Sequence, residues 1–195
     1  QGVIVGDVPF TPIQYWFFNS NLIEPNHFNQ TTLLLARVNL DLSLLNQTFS
    51  LLISHHDALR LRYTLDNHNH WKQKSLASED TPTCIQIDLS SSQDLSFDIE
   101  RESSLAQQSL DIKNGPVIKA ILFNCGPSRP QRLLIVIHHL MVDGVSWRIL
   151  TEDLERLYSQ LAEGKTPHLL PKTHSYQQWA LALTHYAESK SVQDE

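Results

Sequence analysis

Two adjacent imidazoles and a carboxylate four residues on, His138, His139 and Asp143, are the side chains of this chain best suited by type and spacing to move protons. Imidazole titrates near neutral pH, so a histidine held by backbone can take or return a proton without a large shift in its pKa. The pair closes the run Leu133 to Ile137, apolar and rich in β-branched residues, which predicts a buried strand ending in polar groups. Successive side chains on extended backbone face opposite ways, so only one of the two histidines can face a cleft. Asp143 and Gly144 form a turn signal, and a helical pattern opens at about Val145 to Ser146. A carboxylate just before a glycine is also ordinary turn chemistry, so the cluster by itself leaves catalytic and purely structural readings open.

The elements that must position this cluster follow from the periodicity. Thr11 and Pro12 supply an N-cap and a first-turn proline for a short aromatic helix carrying Ile13, Trp16 and Phe17. TTLLLARV is a strand entered through HFNQ, His27 to Gln30, where His27 and Asn29 read as structural. Asp41 caps a helix over 42–56, and a strand from near Ala58 to Tyr63 alternates Leu59, Leu61 and Tyr63 with Arg60 and Arg62, placing the two arginines on one face. DNHNH, Asp66 to His70, makes a hairpin turn to a strand at 71–76, and a polar loop leads to a short strand at 84–89. A helix over 95–110 precedes a strand at 117–123, which pairs through the turn at 126–130 with the Leu133 strand as a central antiparallel hairpin. From Ser146, residues Trp147, Leu150, Leu154, Leu157, Tyr158 and Leu161 make one apolar stripe of a long helix ended by Gly164, and Ser175 opens a last helix to about Glu188.

Several of these stretches are also family motifs. HHLMVDG has the form HHxxxDG and, with its continuation VSWRIL, resembles the signature of nonribosomal peptide synthetase condensation and epimerization domains, relatives of chloramphenicol acetyltransferase. PFTPIQYWFF and HFNQ resemble the epimerization branch, SHHDALRLRY resembles the pattern RHExLRTxF, and SYQQWA resembles a Ser-aromatic-x-x-Trp segment. The chain is similar throughout to the N-terminal lobe of an epimerization domain. The resemblance implies an α/β fold (α+β, two-layer): a chloramphenicol acetyltransferase-like lobe with a mixed, largely antiparallel sheet packed by helices. It implies a linker at 1–8, the lobe at 9–188 and a tail at 189–195, with the second lobe absent. It puts His139, with His138 beside it, in the catalytic position facing a cleft. Asp143, Arg60 and Gly144 become structural support, Arg60 bracing Asp143 in a buried ion pair. Gly144, Val145, Ser146 and Trp147 lie nearest the substrate, as candidate donors to an enolate oxygen.

The implied reaction is epimerization, L to D at the α carbon, of an aminoacyl or peptidyl thioester. The thioester rides on the phosphopantetheine arm of a peptidyl carrier domain; the lobe itself binds no cofactor. Implied partners are that carrier, the C-terminal lobe of the same domain and adjacent synthetase domains, and the isolated lobe is expected to be inactive. A peptide-bond-forming condensation domain and a noncatalytic carrier-docking module are the alternatives. A net charge of −6 with scattered Lys and Arg argues against nucleic-acid and anionic-membrane surfaces. With no apolar run of membrane-spanning length, the cytoplasm is the expected compartment. Cys84 and Cys125 read as buried free thiols. Ten histidines include the pair His55 and His56 and the turn residues His68 and His70, yet no HExxH or paired-cysteine spacing occurs, so no metal is expected.

Overall fold

Strand β7 (Arg132–His138) is the axis of the fold: every residue from Leu133 to His138 is buried, as a continuous apolar run requires. The structure, a computed structural model, describes residues 3–77 and 83–193. β7 lies between β2 (Asn29–Leu35) and β6 (Ile118–Asn124), antiparallel to both, and β5 (Cys84–Asp88) joins β6 in parallel, giving the order β2-β7-β6-β5. Alternation along β7 sends Leu133, Ile135 and Ile137 to one face and Leu134 and Val136 to the other. The first face packs on α2 (Leu42–His55) and α4 (Gly144–Ala162) through Leu45, Phe49, Leu52, Leu150, Leu154 and Leu157. The second packs on α3 (Leu95–Gln108) through Ile99 and Ala106. Covered on both sides, the sheet is the layered, mixed and largely antiparallel α/β arrangement expected.

A second, three-stranded antiparallel sheet has the order β1-β4-β3, from β1 (Gly6–Val8), β3 (Leu61–Leu65) and β4 (Trp71–Ser75). Helix α1 (Pro12–Asn19) is pinned to it by a buried amide: Gln14 Nε2 donates to Tyr63 Oη at 2.8 Å and to Gln73 Oε1 at 2.6 Å, while Gln14 Oε1 accepts the Thr11 N–H at 2.9 Å. Helix α5 (Tyr176–Ala187) is capped by Ser175 and tied in by Asp57, a buried carboxylate that accepts the Tyr176 N–H at 2.7 Å and faces Lys172 Nζ at 3.5 Å. No helix among the described residues is long and apolar enough to cross a membrane. Cys84 and Cys125 are free and buried, and burial pushes the Cys84 thiol up to about 12, which makes it a packing residue.

Three expectations change, and one stretch is left untested. Residues 6–8 are not linker but β1, because the backbone of β4 offers an open edge that three residues can pair with. The tail carries a short helix, α6 (Lys190–Gln193). Part of the polar loop before β5, at 78–82, lies outside the described residues. Most consequentially, Asp57–Arg60 form a 3-10 turn and β3 begins only at Leu61, so Arg60 is not on the strand face with Arg62.

That turn aims the buried Arg60 guanidinium at four carbonyls: Ile53 at 2.5 Å, Ser54 at 2.9 Å, Leu76 at 2.9 Å and Ile4 at 3.2 Å. Two of them are last-turn acceptors of α2 that the helix cannot satisfy itself, where a cation also complements the helix dipole. Lysine has the charge but not the planar fork, so Arg60→Lys should cost on the order of 2 kcal/mol or more in urea unfolding. A loss below about 0.5 kcal/mol, the range of an ordinary surface change, would show that the carbonyl cage contributes little.

Candidate active site

The site is the place where β7 stops. His138, with 0% of its surface exposed, ends the strand. Its Nε2 lies 2.7 Å from the Pro25 carbonyl oxygen, its Nδ1 accepts the Leu140 N–H at 3.2 Å, and its ring meets Phe17 edge to face at 5.7 Å. Both nitrogens are therefore engaged, with Nε2 carrying the hydrogen because a carbonyl can only accept. Burial pushes this imidazole down to about 4. His138 is sealed behind the site as a brace for the turn, away from the cleft.

His139 points the other way and is half-buried. Its N–H donates to the Phe28 carbonyl at 2.8 Å, and its ring stacks on Phe28 with centroids 5.0 Å apart and planes at 18°. Nδ1 lies 2.7 Å from the Val142 carbonyl oxygen, so the turn closes on the ring and Nδ1 carries the hydrogen. Nε2 is directed to the Gln30 side chain, 3.1 Å away, and Gln30 Oε1 accepts the Trp147 indole N–H at 2.7 Å. His139 lines a cleft of about 690 Å³ between α1, α5 and the turn, walled by Ile13, Trp16, Tyr176 and Trp179.

Asp143 is the N-cap of α4, its Oδ1 accepting from Ser146 N at 2.7 Å and Ser146 Oγ at 2.6 Å. The Ser146 hydroxyl and backbone N–H, in that order, hold the carboxyl below its usual range. The expected ion pair with Arg60 is absent among the described residues: the 3-10 turn delivers that guanidinium to backbone carbonyls, and Asp143 is used locally by its own helix. The Ser146 N–H, and the Val145 N–H beside it, are turned to the Asp143 carboxylate, which removes them as donors to a substrate oxygen. Trp147 gives its N–H to Gln30. At Gly144 an added Cβ would meet nothing within 4 Å, so that backbone lies open.

Gln30 and Phe28 are the site residues that sequence reasoning passed over. HFNQ was visible as a polar entry to a strand, but the contact of that strand with His139 depends on the β2–β7 register, in which Asn29 lies opposite His138. The histidine clusters at 55–56 and 68–70 have local structural roles. His56 Nε2 lies 2.9 Å from Asp153 Oδ2, joining the end of α2 to α4. With His55 they are the group of three metal-capable side chains among the described residues; burial lowers both imidazoles first, and the Lys172 ammonium adds to it. At the 66–70 turn, Asp66 accepts the His68 and His70 backbone N–H groups at 2.8 and 2.9 Å, so this is hairpin chemistry.

A strand-end histidine pair, a helix-capping aspartate and a cleft beside them characterise this two-sheet lobe, and comparison with known proteins places it. The profile described as "Condensation domain" matches residues 4–195, and the chain belongs to the condensation-domain family. It is 47% identical over 195 residues to a component protein of the linear gramicidin synthase of Brevibacillus parabrevis, and 35% identical over 195 residues to tyrocidine synthase 1 of the same organism. Those matches span 98% and 100% of this chain but only 4% and 18% of the relatives. Among solved structures, the epimerization domain from the third module of tyrocidine synthetase B superimposes with a TM-score of 0.93 at 37% identity, over 98% of this chain and 43% of that one. The first condensation domain of the calcium-dependent antibiotic synthetase shares the fold, with a TM-score of 0.84 at 17% identity, over 97% of this chain and 45% of that one.

Two measurements test this anatomy. The folded chain resists protonating His138, whereas the unfolded chain takes that proton below pH 6.5. The stability so held is complete above pH 6.5 and is lost as pH falls from there toward 4, on the order of 3 kcal/mol across the window. His138→Asn should be less stable at neutral pH and lose less on acidification; an unchanged acid slope in urea titrations would show that His138 is not the group responsible. Asp143→Ala should cost about 1 kcal/mol, the value of a cap, because Arg60 keeps its carbonyls. A loss of about 3 kcal/mol or more would restore the ion-pair view.

Proposed function

We propose that this chain supplies the proton-transfer histidine of an epimerase acting on an aminoacyl or peptidyl thioester in nonribosomal peptide synthesis. The observation that carries the reading is the likeness, at a TM-score of 0.93 and 37% identity, to a solved epimerization domain, combined with a His139 Nε2 that carries no hydrogen beside a cleft. The substrate arrives on the phosphopantetheine arm of a peptidyl carrier domain, and the cleft between Trp16, Trp179 and Tyr176 accommodates the thioester end of that arm. The thioester acidifies the Cα hydrogen. His139 Nε2 takes that proton, and the C–H electron pair moves into the Cα–C bond as the carbonyl pair moves onto oxygen, giving an enolate. Returning a proton to the opposite face reverses the configuration.

That second acid is assigned to the C-terminal lobe of the same domain, outside this chain, with adjacent synthetase domains as neighbours. Gly144 is the backbone donor left available to the enolate oxygen once Val145 and Ser146 serve Asp143. Asp143, Arg60 and His138 act as structural support. Condensation is the second reading, favoured by the match of residues 4–195 to the condensation-domain family; there Nε2 would position or deprotonate an acceptor amine.

The test uses the complete two-lobed domain with an aminoacyl-loaded carrier in deuterated solvent. Exchange at Cα and formation of the D isomer are expected, and His139→Ala should slow both by about a hundredfold to ten-thousandfold. The present chain alone should not invert configuration. Carrier binding without exchange would indicate a docking module, and peptide-bond formation without exchange would indicate condensation.

A further inference from the structure

The amide of Gln30 stands between two groups whose hydrogen-bonding roles leave no choice. An indole N–H can only donate, and Trp147 Nε1 lies 2.7 Å from Gln30 Oε1. That fixes the orientation of the amide and turns its NH2 to His139 Nε2, 3.1 Å away. An NH2 group only donates, so Nε2 must present its lone pair to it. On the far side of the ring the Val142 carbonyl only accepts, so Nδ1 must carry the hydrogen, at 2.7 Å. Two independent neighbours thus specify one neutral tautomer. Their carriers are rigid: Gln30 sits in the β2–β7 ladder opposite Ile137, and Trp147 in the first turn of α4.

We propose that Gln30 is a positioning residue for His139: oriented by Trp147, its amide keeps Nε2 free of a proton in the resting site and occupies the place that the acidic hydrogen of the substrate takes over. The inference rests on the proton-transfer role of His139 proposed above. Once Nε2 has taken a proton, two donors face each other, and the amide can offer an acceptor only by turning and giving up Trp147. Gln30 therefore withholds stabilisation from the imidazolium, which favours passing the proton on. The titratable groups facing His139 are Asp143 at the head of α4, His138 behind it on β7 and Tyr176 across the cleft on α5. Asp143 is bound to Ser146, His138 to Pro25 and Leu140, and the Tyr176 hydroxyl lies 3.4 Å from Thr11 Oγ1, so none replaces the amide at Nε2.

Gln30→Glu is the decisive variant. It keeps an acceptor for the indole N–H and sets a second acceptor against Nε2, where the doubly protonated ring gains a charge-assisted hydrogen bond. In ¹⁵N-histidine NMR spectra, wild type should show His139 with Nδ1 protonated and Nε2 bare. Gln30→Glu should raise the imidazolium-to-imidazole ratio at a given pH about tenfold, one unit on the titration. Trp147→Phe, which never touches His139, frees the amide to turn and should move the ratio the same way by a smaller factor. In the complete domain, the acid limb of the kcat/KM profile should move to higher pH in Gln30→Glu. A wild-type ring protonated at Nε2, or a folded Gln30→Glu protein titrating like wild type, overturns the proposal. If Gln30→Glu does not fold, an unmoved ratio in Trp147→Phe overturns it alone. The NMR result with no epimerization in the complete domain would remove the proposed reaction and leave the positioning role standing; epimerization with an unmoved ratio would do the reverse.

Discussion

The rest of the site depends on how the buried strand β7 ends. A central strand covered on both faces cannot run into solvent without passing its polar groups through the edge of the core, and here His138 makes that passage. Held between the Pro25 carbonyl and the Leu140 N–H, it satisfies a donor and an acceptor that would otherwise be buried without partners. Because His138 is sealed, the next residue is turned toward the other side of the strand end. The Phe28 carbonyl then holds the backbone of His139, and the Phe28 ring stacks on its imidazole. His139 owes its direction to His138.

The same economy recurs in the polar groups around the cleft. Asp143, Asp57, Gln14 and Arg60 all lie in stretches that resemble family motifs, and each spends its hydrogen bonds on backbone or on neighbouring side chains. Asp143 starts α4, Asp57 holds the start of α5, Gln14 fastens α1, and Arg60 closes the end of α2. Together they set the walls of the cleft, since α1, α5 and the turn before α4 line it. Asp57, Gln14 and Arg60 are buried, and buried groups of this kind are costly when one partner is removed, so they fix geometry even where they add little net stability. His139, which lines the cleft, is held at both ring nitrogens, Nδ1 against the Val142 carbonyl and Nε2 against the Gln30 amide.

Much of this was legible in the sequence. The buried strand, its histidine pair, the turn at Asp143 and Gly144 and the apolar stripe of α4 follow from local rules: runs of apolar residues, period and turn residues act within a few positions of the chain. The central hairpin of β6 and β7 was equally visible, because a short turn joins adjacent apolar runs. Alternation also predicted that the two histidines face opposite ways. Strand β1 was not visible, since three residues carry no period and pair only because β4 offers an edge.

Tertiary structure alone decided the partners. Arg60 and Asp143 are both polar residues in motif stretches, and nothing in their spacing says that one meets four carbonyls while the other caps its own helix. That outcome follows from a 3-10 turn at 57–60, which redirects the guanidinium before β3 begins. Likewise Gln30 lies 109 positions from His139, and only the β2–β7 register together with the first turn of α4 brings the amide into contact with both the imidazole and the indole. The sequence by itself determined which side chains could carry a proton. The folded turn and long-range packing together determined which nitrogen holds it: the Val142 carbonyl three residues on faces Nδ1 and the Gln30 amide of β2 faces Nε2, roles that periodicity does not encode.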